Sequence, residues 1–131
     1  MRTLALLFCL LLMTGCDDAP TAPAAPLEGE FTLAPGEQRR IEGESVRVTF
    51  VEVTGDSRCP IDAICILGGS ATVRILVGSG FSNQAYELRT GDMQPIVHAG
   101  LTVALVELSP YPFSARPVAP DEYRATLKVT R

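Results

Sequence analysis

From Glu30 onward, apolar and polar residues alternate with a period of two rather than 3.6, which is the pattern of half-buried strands. Tyr123, Ala125, Leu127 and Val129 alternate with Arg124, Thr126, Lys128 and Thr130. Ala71, Val73, Ile75 and Val77 alternate with Thr72, Arg74 and Leu76. Val46, Val48 and Phe50 keep the same phase, which then slips because Val51 and Val53 flank Glu52; a bulge near Phe50 accommodates such a slip. Leu101–Leu108 slips in the same way, and Gln84–Arg89 sets Tyr86 and Leu88 on one face. Shorter runs at Phe31–Leu33, Arg39–Ile41 and Ile96–His98 are further strand candidates. Pro35-Gly36, Gly55-Asp56, Gly68-Gly69, Gly91-Asp92 and Ala99-Gly100 punctuate the runs with turn chemistry. Residues 78–82 should close a hairpin between Ala71–Val77 and Asn83–Arg89. Ser109–Asp121 holds four Pro and cannot be a strand interior. Seven or eight short strands without a helix of ten residues predict an all-β fold, a small antiparallel sandwich or barrel.

The N-terminus follows another pattern. Met1-Arg2-Thr3 carries one positive charge, and Leu4–Met13 is an unbroken apolar run of ten residues. Ten helical residues rise about 15 Å, half of a bilayer's hydrocarbon core, so the run fits a secretory h-region rather than a spanning anchor. It ends in Leu12-Met13-Thr14-Gly15-Cys16. This segment resembles the lipobox of bacterial lipoproteins, with Met13 where Leu is usual. The resemblance implies cleavage before Cys16, a diacylglyceryl group on its sulfur and an acyl chain such as palmitate on the new amine. Several acyl chains hold a membrane firmly where one holds marginally. The expected organisation is a signal at 1–15, a lipidated Cys with a Pro/Ala-rich tether at 16–28, and one β domain at 29–131. Asp17–Glu28 has three Pro and four Ala and reads as an extended, polyproline-like spacer of roughly 37 Å.

Length and charge narrow the rest. The chain of 131 residues suffices for one domain. Its 47% hydrophobic content supports a packed core. The net charge of −4, with no basic cluster beyond Arg39-Arg40, argues against nucleic acid and against attraction to anionic lipid. Loss of residues 1–15 would remove Arg2 and Cys9, leaving 10 basic against 15 acidic side chains, a net of −5. With Cys16 lipidated, Cys59 and Cys65 remain as an even pair in an oxidising compartment, so a disulfide is expected.

Cys59 and Cys65 lie in a loop, Asp56–Gly69, between two strand patterns. Their spacing suits neither a zinc knuckle nor a thioredoxin-like Cys-x-x-Cys site. The loop resembles one shared by a group of small bacterial envelope lipoproteins of unassigned function. Asp56, Ser57, Arg58, Cys59, Pro60, Cys65 and Gly69 match the shared pattern, and Leu67 stands where Trp is frequent. The resemblance implies no reaction, cofactor or catalytic residue.

Little chemistry is otherwise visible. His98 is the single His, no Gly-x-Ser-x-Gly elbow exists, and no acid–base pair can be named. A copper site from Met93, His98 and a Cys would need a second His or a free thiolate. No metal or cofactor is therefore expected, and no enzymatic activity. The expectation is a lipid-anchored cell-envelope domain facing the periplasm or exterior, with a binding or structural role and an envelope protein as partner. Arg58 in the loop, with Tyr111 and Arg116 in the Pro-rich segment, are the candidate contacts, because Tyr and Arg are favoured at interfaces. In a purely structural reading of the loop, Arg58 pairs with Asp56 or Asp62. The alternative functions are a protease inhibitor or a metal-binding module built on the Cys59–Cys65 region.

Overall fold

A computed structural model describes residues 22–92 and 94–131. Among these residues eight strands form in chain order: β1 Glu30–Leu33, β2 Gln38–Arg40, β3 Val46–Asp56, β4 Ala71–Ser79, β5 Ser82–Arg89, β6 Ile96–His98, β7 Leu101–Ser109 and β8 Arg124–Thr130. They make two four-stranded antiparallel sheets, ordered β1-β8-β7-β6 and β2-β3-β4-β5, which are not closed into a barrel. The fold is a small β-sandwich. The alternating residues fill its middle: Val48, Phe50, Val73, Ile75 and Val77 from one sheet, and Leu33, Val103, Leu127 and Val129 from the other, are fully buried.

Both phase slips are bulges. In β3 the register shifts between Phe50 and Glu52, and in β7 between Leu105 and Glu107. Each lets an apolar–apolar step occur without driving a charged neighbour into the core. The β4–β5 hairpin closes at Ser79–Ser82 around Gly80-Phe81. Gly80 has φ 63°, at the first central position, the one that a II′ turn reserves for Gly.

The tether ends earlier than its composition suggests. Ala25 is 2% exposed and bridges Ile41. Its N–H donates to the Arg40 carbonyl at 2.8 Å, its own carbonyl accepts from Glu42 N–H at 2.8 Å, and Glu28 N–H donates to the Val129 carbonyl. The packed unit thus includes Ala25, not only residues from 29. An alanine among prolines is small enough to sit against Ile41 and still lend its backbone to β2's end.

This register gives the sandwich two poles. One carries Ala25, the turn before Val46, the Gly80 turn and the end of β8. The other carries the loop between Asp56 and Ala71 and the segment between β7 and β8. Eleven residues of β3 separate them by roughly 33 Å.

Candidate functional site

The loop from Ser57 to Ser70 leaves β3 and returns to β4 through a narrow neck. Ser57 N–H donates to the Ser70 carbonyl at 3.0 Å, and the Ser57 hydroxyl donates to the same carbonyl at 2.9 Å. Gly69 makes this approach possible: a Cβ there would lie 1.6 Å from the Ser57 carbonyl oxygen.

Directly behind the neck, Arg58 turns inward and is 7% exposed. Its Nε donates to Asp56 Oδ1 at 2.9 Å and one terminal nitrogen to Oδ2 at 2.7 Å, a two-pronged ion pair. That nitrogen also donates to the Pro110 carbonyl at 2.8 Å, and its twin donates to the Leu108 carbonyl at 2.5 Å. Tyr123 O–H donates to Asp56 Oδ2 at 3.0 Å, and the Tyr111 ring lies 4.8 Å from the guanidinium carbon. Burial works against a charged Asp56. The bonds from the Arg58 side chain and backbone and from Tyr123 outweigh it, and the carboxyl sits below its usual range. Burial and the bond to Asp56 together push the Tyr123 hydroxyl up. This knot ties the exit of β3 to the end of β7 and the start of β8, and so joins the two sheets.

Beyond the knot, Cys59 and Cys65 form a disulfide, with 5.9 Å between their Cα atoms. Ile61 N–H donates to the Pro112 carbonyl at 2.9 Å. Asp62 Oδ1 accepts from the Ser114 N–H at 2.8 Å and from its hydroxyl at 3.1 Å. The Ser114 backbone bond holds the Asp62 carboxyl below its usual range. The loop is thereby fastened at its neck, across its middle and against the Pro-rich segment. Its apolar side chains nevertheless point out: Ile61 is 65%, Leu67 85%, and Ile64 and Ile66 fully exposed. Tyr111 and Phe113 stand half-exposed in the neighbouring segment. Between Ala63 and Ser70 there is no ionisable side chain. A recess of about 280 Å³ lies beside the neck, between Arg58, Cys59, Gly68, Gly69, Thr90, Gly91 and Tyr111.

The candidate contacts separate. Arg58 is not at the surface, because four of its N–H groups are taken by Asp56 and by the Leu108 and Pro110 carbonyls; of the two carboxylates that could pair with it, Asp56 does and Asp62 does not. Tyr111 uses its ring to cover Arg58 while remaining half exposed. Arg116 is exposed and ion-paired with Glu122. His98 accepts or donates one bond at Nδ1, with Tyr86 O–H at 2.9 Å, and its Nε2 is buried with no partner among the described residues. Both thiols proposed for a metal are in the disulfide. Cys16 and Met93 lie outside the described residues. The exposed tip Ile61–Leu67 was the feature not singled out from sequence. Its signal is a set of apolar residues in and just after a disulfide ring too short to bury them. Compared against protein-family models, curated proteins and solved structures, the chain matches none.

Proposed function

We propose that this protein is a lipid-anchored, non-enzymatic domain of the bacterial cell envelope. It engages an envelope partner through the apolar tip of its disulfide loop. The observation that carries this reading is the set Ile61, Ile64, Ile66 and Leu67, exposed together on a loop pinned by a disulfide and by Asp62. Clustered apolar exposure costs solubility and marks an interaction surface. A pinned loop loses little freedom on binding.

The anchor fits this use. Cys16 precedes Ala25 by nine residues, which span at most about 30 Å. Ala25 lies at the pole opposite the loop, roughly 33 Å away along β3. A lipid at Cys16 would therefore keep the tip from pointing straight at its own membrane. A protease inhibitor that inserts Arg58 into an enzyme does not suit the geometry, since the buried Arg58 would have to leave its carboxylate partner.

Photo-crosslinkers placed in living cells at Ile64 and Ile66 test the reading, with Glu52 on the sheet face as control. The expected result is one discrete adduct from both tip positions and none from Glu52. Equal, diffuse labelling from all three positions would refute it. Cys16→Ala should at the same time release the protein from the membrane fraction.

A further inference from the structure

The outer face of the β2-β3-β4-β5 sheet has two rows of side chains with opposite electrostatic character. In one, Glu52, Arg74 and Glu87 stand side by side across β3, β4 and β5, and Arg74 pairs with both acids, at 2.7 and 3.6 Å. In the other, Arg40 of β2 stands directly opposite Arg47 of β3. Val48 points into the core, so Arg47 and its partner Arg40 point outward together. Neither arginine takes part in an ion pair among the described residues, and the nearby Glu44 is held by Arg131. Like charges facing each other across a strand pair destabilise a sheet.

The surface around them is recessed. A cleft of about 410 Å³ is lined by Gln38, Arg40 and Arg47, with Ala22 and Ala24 as a wall. On the other side of Arg47, a second cleft of about 220 Å³ is lined by Gln38, Thr49, Leu76 and Asn83. Gly78, which pairs with Arg47, contributes no side chain, and Asn83 Oδ1 lies over it, 2.0 Å from where a Cβ would stand.

We propose that Arg40 and Arg47 bind a phosphate group, as a monoester or diester, on a small hydroxylated molecule. Two guanidinium forks supply two positive charges and planar donors matched to phosphate oxygens. The amides of Gln38 and Asn83 and the Thr49 hydroxyl are placed for hydroxyl groups on the same molecule, while Leu76 offers a small apolar floor. Binding relieves the repulsion between the arginines. The cleft adjoins Ala22, on the stretch of chain leading back to Cys16, so the phosphate belongs either to a lipid headgroup beside the chain's exit or to a soluble phosphoester. The site shares no residue with the disulfide loop.

Calorimetric titration of the Cys16→Ser protein with glycerol 3-phosphate tests the site. Saturable binding is expected, weakened at least tenfold in the Arg40→Gln, Arg47→Gln double variant and unchanged in Arg74→Gln. The double variant should melt no lower than the parent, because it loses only a repulsive pair. Vesicles of phosphatidylglycerol in phosphatidylcholine decide the source. If they compete with glycerol 3-phosphate and phosphatidylcholine alone does not, the ligand is a headgroup; if neither competes, it is a soluble phosphoester. Absence of saturable binding, or an equal loss in Arg74→Gln, would overturn the proposal.

Discussion

The base and the tip of the disulfide loop invert the usual distribution of residues within a few positions. At the base, a buried arginine and a largely covered aspartate are bonded to each other and to their surroundings. At the tip, Ile64 and Ile66 are wholly in solvent. The base resists opening because buried charges tolerate only the one arrangement that satisfies them. The tip contributes nothing to the core, and its apolar side chains gain by burial only against something else. The contrast separates architecture from contact surface: Arg58 builds the platform, and the isoleucines occupy it.

Breaking the base should have the largest effect. Arg58→Ala strands the Asp56 carboxylate, whose side chain is only 10% exposed, without its partner and should cost about 3–5 kcal/mol, read by urea unfolding. A loss below about 1 kcal/mol would show that Asp56 finds water there and that the knot does not join the sheets. Opening the disulfide comes next. Cys59→Ser should cost about 2.4 kcal/mol by the chain-entropy argument, because a seven-residue ring restrains the unfolded chain only modestly. The β core should still fold.

Acid sharpens the comparison further. Asp56 is depressed below its ordinary value of 3.8, so its stabilising contribution is complete above that pH and is lost as pH falls through the lower folded value. Tyr123→Phe removes one of the bonds that hold it down. It should cost about 1 kcal/mol near neutrality and move the acid unfolding midpoint to higher pH. An unchanged acid midpoint in Tyr123→Phe would separate Tyr123 from the knot.

Most of the sandwich was legible because period-two alternation is enforced wherever a sheet has one buried face, as in Ala71–Val77 and Tyr123–Val129. The slips at Phe50 and Leu105 were legible too, since an apolar pair in consecutive positions demands a bulge. The disulfide followed from counting thiols. The fate of Arg58 was not decided by its neighbours in sequence. Its carbonyl acceptors, Leu108 and Pro110, lie some fifty residues later, and only the meeting of β3 with the β7–β8 connection brings them together. Ala25 escaped for the same reason: its burial depends on Ile41, not on the prolines around it. The Arg40–Arg47 opposition required the β2–β3 register.

The division between platform and contact surface is tested most directly by one variant read in two ways. Ile64→Ser with Ile66→Ser should leave the unfolding free energy within about 0.5 kcal/mol of the parent, as for surface substitutions away from packed features. In cells, a photo-crosslinker at Leu67 in that variant should lose the adduct that it forms in the parent. A stability loss of several kcal/mol would mean that the isoleucines belong to the fold. An undiminished adduct would mean that the tip is not where the partner binds.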